Sequence, residues 1–292
     1  MADATTHVIE PEDAGTRLDQ WLARTFQSHS RSQFQKLIHQ EKVAVNGQPV
    51  TAHLKLRAGD KVLIRWEVEV IAVTPNPAVP ISIIFEDEEY LAVSKPAGIV
   101  MYQSPKHPVP DTLANWALAH YPPIREVGEP ERSGIVHRLD RDVSGVVILA
   151  KTHAAYDHVR KEFAARRVFK EYAAILSGTL RDDAGVITLP LRRPKHGGPV
   201  RAQEDGFPAT TKYEVLERAK NRTLARVHIE TGRMHQIRAH FAAIGHPVAG
   251  DTLYGGVKAP RLMLHAEKLV FTDRNGNKRE FINPAPKEFK NI

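Results

Sequence analysis

The sequence predicts an α+β protein with two domains, the larger of which contains a mainly antiparallel sheet. Three observations support this prediction. The chain has 292 residues, and at about 150 residues per domain two domains are expected. The segment 71–80 contains three prolines, and proline stiffens and extends the chain. Beyond this segment, short apolar stretches typical of strands outnumber the helical patterns. We therefore expect domains at 1–70 and 81–292 that are joined by a stiff linker at 71–80.

Two short helices followed by strands are predicted in the first domain. Helical spacing of apolar residues occurs twice, at Leu18, Trp21, Leu22 and Phe26, and then at Phe34, Leu37 and Ile38. Ser30 or Ser32 is placed to cap the second helix. The strand Val43–Val45 runs into Asn46-Gly47, a dipeptide typical of tight turns, and a further strand is predicted at Val62–Ile64.

Positive charge is concentrated in this first domain. Residues 24–65 contain eight lysines and arginines but only two acidic residues, whereas residues 1–70 as a whole contain nine of each kind. The complete chain has a formal net charge of +7. Segregated positive charge on a small module is typical of proteins that bind nucleic acid. Nucleic acid is therefore the first partner that we expect.

The second domain is predicted to combine strands with three helices. The strands are Ile83–Phe85, Tyr90–Val93, Val146–Leu149, Tyr172–Leu176, Ala225–Ile229, Leu262–Ala266 and a hairpin over Lys268–Phe281 on an Asn275-Gly276 turn. The helices contain Leu113, Trp116 and Ala117 after an Asp111 cap, then Tyr156, Val159 and Phe163, and then Met234, Ile237, Phe241 and Ile244 before Gly245. This mixture indicates an α+β domain with a mainly antiparallel sheet.

Composition and spacing exclude several kinds of chemistry. The chain has no cysteine, which excludes disulfides, a thiolate nucleophile and iron–sulfur clusters. It has neither a Walker loop nor a complete Gly-x-Ser-x-Gly elbow. His235 and His240 are five residues apart and do not share a helix face, so we expect no metal. No run of 18 apolar residues and no secretory signal is found, so we expect a cytoplasmic protein without a membrane span.

A polar loop between two apolar segments is the most informative part of the second domain. Residues 134–151 read Gly-Ile-Val-His-Arg-Leu-Asp-Arg-Asp-Val-Ser-Gly-Val-Val-Ile-Leu-Ala-Lys. A rigid sheet that presents such a loop is a common way of holding a reactive side chain. Taken alone, the loop is equally consistent with an ordinary charged turn.

This loop is one of five motifs that follow one another along the second domain. They are Glu86–Gly98 with its Lys95-Pro96-Ala97-Gly98, His137–Gly145, Lys170-Glu171-Tyr172, Thr231–His240 with Gly250–Gly255, and Leu262–Ala266. Five motifs in this order resemble the RluA family of pseudouridine synthases over residues 80–290. The resemblance implies an α+β pseudouridine synthase fold and the isomerisation of uridine to pseudouridine in RNA.

The first domain also resembles a known RNA-binding module. Its segments Gly15–Leu22, Ser30–Ile38 and Val43–Gly47 are similar to an S4-type domain, which many members of the RluA family carry. In that module the second helix and the following turn face RNA. The resemblance therefore implies RNA contacts from Arg31, Ser32, Gln35 and Lys36.

The resemblance implies roles for five residues around one site. Asp140 falls on the catalytic aspartate and Arg238 on the arginine that pairs with it. Tyr172 falls on the tyrosine that stacks on the target base, Arg138 on the residue that fills the stack after the uridine flips out, and Leu264 on an apolar residue near the flipped base. An ionised aspartate can attack C1′ or remove the ribose 2′ proton. Both routes stay open, and neither needs a metal or a redox cofactor.

The chain departs from the family pattern at two places. Val143 stands where the family usually has threonine, and we expect a changed hydrogen bond in the loop with activity retained. Met101-Tyr102 stands where many members have valine and histidine, so a contact with the substrate is expected to differ.

Alternatives from other classes remain open. One is a glycoside or nucleoside hydrolase that uses Asp140 with a second acid such as Asp142 or Glu171. Another is an RNA-binding protein without activity, which the presence of Asp140, Tyr172 and Arg238 disfavours. For a pseudouridine synthase, the S4-like domain favours large-subunit (23S) ribosomal RNA over transfer RNA, and we expect a monomer without a nucleotide cofactor.

Overall fold

The computed structural model describes residues 4–26, 30–66, 73–103, 109–129, 131–194 and 197–290. The chain divides into two compact units, Met1–Val70 and Ile71–Ile292, which we call the N-terminal and the C-terminal unit. Residues 71–72 of the proposed linker lie outside the described residues, and its stiffness stays a prediction. In the described ranges, no helix is long and apolar enough to cross a membrane.

The N-terminal unit contains a four-stranded antiparallel sheet and two helices. Its elements are β1 (Ala4–Val8), α1 (Leu18–Thr25), α2 (Arg31–His39), β2 (Val43–Val45), β3 (Gln48–Pro49) and β4 (Lys61–Arg65). The strand order is β1-β4-β2-β3. The apolar residues that predicted the helices, among them Leu18, Leu22 and Phe34, are buried in one core. Both predicted helices are therefore confirmed.

Local sequence signals set the boundaries of these elements. Ser30 caps α2, because its hydroxyl accepts the Gln33 N–H while the Gln33 side chain accepts the Ser30 N–H, which is a capping box. Asn46 and Gly47 have φ values of 53° and 76°, as a type I′ turn between β2 and β3 requires. The strand β1 was not predicted, because its residues alternate between exposed and half-buried positions and show no buried face. This strand forms because it pairs with β4 along its whole length.

The C-terminal unit is built on one large sheet. Its elements are β5 (Ser82–Glu86), β6 (Tyr90–Lys95), α3 (Leu113–His120), β7 (Ser144–Ala150), α4 (His153–Ala164), β8 (Phe169–Ser177), β9 (Ala184–Ile187), β10 (Leu191–Arg192), β11 (Arg201–Ala202), β12 (Thr211–Ala219), β13 (Arg222–Ile229), α5 (Gln236–Ala243), β14 (Leu264–Thr272) and β15 (Lys278–Ile282). The large sheet has the order β5-β6-β7-β14-β8-β13-β12-β9, and β15 pairs with β14. Of these pairs only β7 with β14 is parallel, which confirms the predicted mainly antiparallel α+β fold.

The parallel contact between β7 and β14 depends on a glycine. Gly145 lies opposite Ala266 of β14, and Ala266 lies opposite Tyr172 of β8. At Gly145 φ is +130°, and an added Cβ would lie 2.2 Å from the carbonyl oxygen of Ala266. Only glycine permits this approach, which brings the loop before β7 beside the strand that carries Tyr172.

Two helix predictions need correction. Thr112, and not Asp111, caps α3, because its hydroxyl accepts the Asn115 N–H. The Asp111 carboxylate instead accepts a hydrogen bond from Asn76 at 2.8 Å. The last helix begins at Gln236 and not at Met234, because the intervening residue has a left-handed backbone that cannot continue a helix.

The outer strands of the large sheet were also missed. The strand β12 alternates charged residues with partly buried ones, and four of its nine residues are charged. Both β9 and β12 lie toward the sheet edge, where a strand needs little apolar surface to pair. Their sequences therefore carry a weak apolar pattern although their backbone pairing is regular.

Candidate active site

A cleft of about 560 Å³ lies against the central strands of the large sheet. Four stretches of chain form it, namely the loop before β7, the end of α4 with the start of β8, the segment from β13 to α5, and the first residue of β14. All five residues to which the resemblance assigned roles in the second domain line this cleft: Arg138, Asp140, Tyr172, Arg238 and Leu264. Residues far apart in the sequence thus meet because β7, β14 and β8 are neighbours.

Asp140 and Arg238 are in direct contact in this cleft. The Nη1 atom of Arg238 donates to Oδ2 of Asp140 at 3.2 Å. The other two nitrogens, Nε and Nη2, donate to both carboxylate oxygens of Asp251 at 2.6 and 2.9 Å. Burial alone lowers the pKa of Arg238, but the two carboxylates outweigh it and raise the pKa. The short bidentate bond to Asp251 anchors the guanidinium, and one nitrogen remains to hold Asp140.

His235 approaches the same carboxylate from the start of α5. Its Nε2 lies 3.7 Å from Oδ2 of Asp140, and its Nδ1 lies 3.2 Å from the hydroxyl of Tyr254. The guanidinium of Arg238 lies 5.2 Å from the centre of the Tyr254 ring. Burial lowers the pKa of His235, and the negative charge of Asp140 opposes this shift. The ring is therefore neutral near pH 7 although it faces a carboxylate.

Tyr172 contributes a phenol to the cleft from β8. Burial raises the pKa of this phenol, and the nearby charge of Asp140 raises it further. Tyr172 therefore stays protonated at neutral pH. In the described part of the chain its hydroxyl has no hydrogen-bond partner, which leaves both the ring and the hydroxyl available to a bound molecule.

Arg138 reaches the cleft from the same loop as Asp140 and is exposed. Its Nη1 donates to the hydroxyl of Tyr102 at 3.4 Å, and its guanidinium lies 6.0 Å from the centre of that ring. Arg132 lies over the same ring at 5.0 Å. Tyr102 is one of the two residues that depart from the family pattern, whereas its neighbour Met101 is buried in the core. The departure at Tyr102 thus lies beside Arg138.

Apolar side chains form another part of the cleft. Leu264 and Val143 both line it and are almost fully buried. The backbone N–H of Val143 donates to the carbonyl oxygen of Asp140 at 3.2 Å, which closes the turn that carries Asp140. The effect of the missing threonine hydroxyl at Val143 stays a prediction.

A buried lysine holds the loop of Asp140 from behind. The Nζ of Lys95 donates to the carbonyl oxygens of Pro96, Ile99 and Arg141 at 2.8, 2.9 and 3.0 Å. Burial lowers the pKa of Lys95 to about 7, and the carboxylates of Asp142 and Asp140 oppose the shift. Lys95 thereby links the Lys-Pro-Ala-Gly turn to the residue that follows Asp140.

Two neutral histidines stiffen the strands around the site. His137 stacks on Phe163, and its Nε2 accepts the N–H of Ile148 at 2.9 Å. Burial lowers the pKa of His137 to about 3, so this ring does not carry a charge. His265 donates from Nε2 to the carbonyl of Asn283 at 2.7 Å, so its Nδ1 accepts the hydroxyl of Ser144 at 2.8 Å. This second bond joins β7 to β14.

The carboxylates considered for a hydrolase lie elsewhere. Asp142 is paired with Arg141 and Glu171 lies 3.8 Å from Arg226. Neither Asp142 nor Glu171 lines the cleft. Glu230 does line the cleft, where it is paired with Lys212 at 2.6 Å.

No group suited to a metal ion is found among the described residues. His240, for example, is buried with Nε2 bonded to the carbonyl of Leu189 at 2.9 Å and Nδ1 bonded to the hydroxyl of Thr211 at 2.8 Å. His235 makes different contacts, so the two histidines do not share a site.

The four residues assigned to RNA in the N-terminal unit are in two different environments. Arg31 donates to Asp19 at 3.0 and 2.8 Å, and Gln35 donates to the same carboxylate at 2.7 Å. Ser32 and Lys36 are exposed, and in the described ranges Lys36 has no ion-pair partner. Arg31 and Gln35 therefore have a structural contact besides any contact with RNA, and the RNA role of all four stays a prediction.

The sequence did not single out Asp251 and Tyr254, and it considered His235 only as a candidate metal ligand. All three lie in the quoted segments Thr231–His240 and Gly250–Gly255. The signal that could have found Asp251 is its position in a glycine-flanked turn, where Gly250 has φ of +77°. That Asp251 contacts Arg238 is visible only in the tertiary structure.

Comparisons with known proteins agree with this geometry. The family model for RNA pseudouridylate synthase matches residues 89–243, and the S4 domain model matches residues 16–62. The chain is 41% identical over 244 residues to an uncharacterized RNA pseudouridine synthase of Aquifex aeolicus, with 82% of this chain and 77% of the relative covered. It is 38% identical over 256 residues to ribosomal large subunit pseudouridine synthase D of Haemophilus ducreyi, with 87% and 78% covered.

A solved structure shows the same fold. Human RNA Pseudouridylate Synthase Domain Containing 1 superimposes with a TM-score of 0.61 at 27% identity, over 73% of this chain and 86% of that chain. The family match includes the loop of Asp140, β8 and α5. The chain therefore belongs to the RNA pseudouridylate synthase family, and is an isomerase with an S4 domain in its N-terminal unit.

Proposed function

We propose that this enzyme converts specific uridines to pseudouridine in large-subunit (23S) ribosomal RNA, with Asp140 as the catalytic carboxylate. The observation that carries the assignment of Asp140 is its position in the cleft, where Arg238 binds it and Tyr172 also lines the wall. The ribosomal substrate is supported by relatives such as the Haemophilus ducreyi protein, whose name is ribosomal large subunit pseudouridine synthase D. The two carboxylates considered as the second acid of a hydrolase do not line the cleft, and Glu230, which does, is paired with Lys212.

The chemistry requires a carboxylate that stays ionised while substrate covers it. Isomerisation breaks the bond from N1 to C1′, turns the base, and joins C5 to C1′. Asp140 then attacks C1′ or removes the ribose 2′ proton, and both routes need its negative charge. Arg238 supplies the compensating charge in a partly buried site. Because Asp251 anchors Arg238, the position of Asp140 is set before RNA binds.

Binding of a flipped nucleotide is supported by the cleft lining. Tyr172 and Leu264 offer an aromatic and an apolar surface for the uracil ring. Four basic residues also line the cleft, namely Arg138, Arg166, Lys170 and Arg233. In the described ranges none of the four is within 4 Å of a carboxylate. Basic groups without a carboxylate partner favour a polyanion, and the exposed side chain of Arg138 is proposed to replace the flipped base in the stack.

Tritium release from C5 of uridine tests this proposal. Unmodified ribosomal RNA and transfer RNA labelled at C5 are incubated with wild type, Asp140→Asn and Asp142→Asn. We expect release from 23S RNA with wild type and Asp142→Asn, and a loss of about a thousand-fold or more with Asp140→Asn. Asp142 is the matched control, since it is the neighbouring carboxylate outside the cleft.

Three other results would contradict parts of this proposal. Equal loss of activity in both variants contradicts the role of Asp140. Release from transfer RNA alone replaces the ribosomal substrate. Free uracil in the supernatant, with no pseudouridine, indicates a hydrolase.

The N-terminal unit is proposed to supply affinity through phosphate contacts from Arg31, Ser32, Gln35 and Lys36. Lys36→Ala is the sharpest test, because Lys36 is exposed and is not part of the Asp19 contacts. Each lost phosphate contact lowers the slope of log affinity against log salt by about 0.7 to 0.9. Lys220→Ala is the control, because it removes the same charge from an exposed turn between β12 and β13. An equal slope for Lys36→Ala and wild type removes Lys36 from the RNA interface.

Monomeric state and cytoplasmic location stay predictions. Sedimentation of the full chain at several concentrations checks the first, and fractionation of cells checks the second.

A further inference from the structure

We propose that His235 accepts, from Asp140, the proton that leaves C5 of the target uridine and delivers it to water. This inference rests on the proposed function and on Asp140 as its carboxylate. It concerns a step that the isomerisation must contain. The base loses a hydrogen at C5 when that carbon bonds to C1′, and N1 gains one when its bond to C1′ breaks. One proton must therefore be taken from C5 and one must be supplied to N1.

The hydrogen bonds of the His235 ring determine which nitrogen is free. The hydroxyl of Tyr254 donates its single hydrogen to the carbonyl oxygen of Val200 at 3.0 Å. Its oxygen must then accept from Nδ1 of His235, which lies 3.2 Å away. In the neutral ring only one nitrogen carries hydrogen. Nδ1 is therefore protonated, and Nε2 presents a lone pair.

The lone pair of Nε2 faces the carboxylate of Asp140. The distance from Nε2 to Oδ2 is 3.7 Å, longer than a hydrogen bond, which is about 2.7–3.2 Å. Nε2 and Oδ2 are both acceptors, so they form a hydrogen bond only when a proton is added to one of them. Asp140 gains such a proton when it takes the C5 hydrogen and the electron pair of that bond returns to the uracil ring. Transfer to Nε2 restores the carboxylate and forms an imidazolium.

The charges around His235 suit this temporary role. Asp140 and Asp251 raise the pKa of the ring, whereas Arg238, Arg138 and burial lower it, and the lowering prevails. His235 therefore begins neutral and releases an acquired proton readily. Its side chain is 22% exposed, so water reaches the ring without crossing the protein.

The backbone of His235 supplies independent support. Its φ is 52°, in the left-handed region that glycine and asparagine occupy more readily. The residue precedes α5, yet its side chain makes no helix-capping hydrogen bond. Backbone strain at a residue whose ring faces a reacting carboxylate is typical of functional sites.

The test replaces the ring while it keeps the backbone and the bond to Tyr254. His235→Asn tolerates the left-handed conformation and retains an N–H near the position of Nδ1, but has no Nε2. Single-turnover tritium release is measured between pH 5.5 and 8.5 with enzyme in excess. We expect His235→Asn to react 10- to 100-fold more slowly with unchanged RNA affinity. We also expect the wild-type rate to decline at low pH, where His235 becomes protonated, and the rate of His235→Asn to lack this decline. Imidazole in the buffer is expected to restore part of the rate to His235→Gly.

Two controls separate this role from a structural one. His246→Asn changes a histidine that bonds the carbonyl of Ser177 outside the cleft, and is expected to match wild type at every pH. Tyr254→Phe removes the acceptor that orients the ring, and is expected to shift the low-pH decline while retaining it.

Each result decides between the proposals. If wild type is active, Asp140→Asn is inactive and His235→Asn keeps the wild-type rate and pH profile, the proton transfer through His235 is wrong and the proposed function stands. A slow His235→Asn that keeps the low-pH decline, or no rescue by imidazole, also overturns it. If wild type isomerises no RNA, the proposed function fails and this inference fails with it.

Discussion

Each unit of the molecule contains an aspartate that binds arginine, and the two are built differently. Asp19 in the N-terminal unit is fully buried, and its carboxylate accepts five hydrogen bonds from Arg17, Arg31 and Gln35. Asp140 in the C-terminal unit accepts one bond of 3.2 Å from Arg238 and lines a cleft. The same pair of residue types therefore serves different purposes.

The difference lies in how many acceptor positions of the carboxylate are used. Burial by itself raises the pKa of Asp19, but the bonds from Arg17, Gln35 and Arg31 hold it well below the ordinary value. Asp19 accepts five bonds, is fully buried and joins α1 to α2, so it does not present its carboxylate to a substrate. Asp140 is held by one bond and keeps acceptor positions free. In the C-terminal unit the saturated partner of arginine is Asp251, which leaves Asp140 available for chemistry.

Of the variants that test this comparison, Asp251→Asn is expected to have the largest effect. Asp251→Asn takes one buried charge from beside Arg238, so the guanidinium turns toward Asp140 as its remaining counter-charge. We expect turnover to fall about 10- to 100-fold, because small displacements of a reacting group are costly. RNA affinity should change little. Single-turnover kinetics and filter binding measure both, and unchanged turnover would show that Arg238 does not need its anchor.

A smaller effect, of a different kind, is expected in the N-terminal unit. Asp19→Asn keeps the size of the side chain but removes the charge that Arg17 and Arg31 bind. We expect the N-terminal unit to lose about 2 kcal/mol of stability, since hydrogen bonds to charged groups are worth about 1.5–3 kcal/mol. Turnover at saturating RNA should stay within two-fold. Hydrogen exchange of α1 and α2 in the full chain reports the stability, with Glu12→Gln as a control that removes an exposed charge from the same unit.

The smallest expected effect concerns how the stability that Asp19 gives the N-terminal unit depends on pH. The pKa of Asp19 lies below its unfolded value of about 3.9. The stability that its ionised form contributes is complete above about pH 4 and is lost as pH falls through the folded pKa. The gap between wild type and Asp19→Asn should therefore be constant from pH 7 to 5 and should narrow below pH 4. A gap that narrows already near pH 6 would contradict the depressed pKa.

Several features of both sites could be predicted from sequence patterns. Three predictions in the N-terminal unit were confirmed, namely the Ser30 cap, the Asn46-Gly47 turn and the helices α1 and α2. Each rests on interactions over a few residues. The resemblance placed Asp140, Arg138, Tyr172, Arg238 and Leu264 together, and one cleft contains them. Their roles stay proposals.

Other features could not be predicted, because the deciding contact lies far away in the chain. The strand β1 depends on β4. The predicted Asp111 cap was wrong, and the Asp111 carboxylate instead accepts a bond from Asn76, 35 residues away. Arg31 and Gln35 were assigned to RNA without their contact to Asp19.

By itself the sequence determined the α+β class, the segregated charge of the N-terminal unit and the residue types at the cleft. The first two depend on composition and on spacing over a few residues, whereas the residue types at the cleft follow from the resemblance. Only the tertiary structure decided which carboxylate is saturated, which nitrogen of His235 is free, and that Asp251 stands behind Arg238. The physical reason is that a hydrogen-bond partner is chosen by distance and direction in space, and folding brings residues 140, 238 and 251 together from three separate segments.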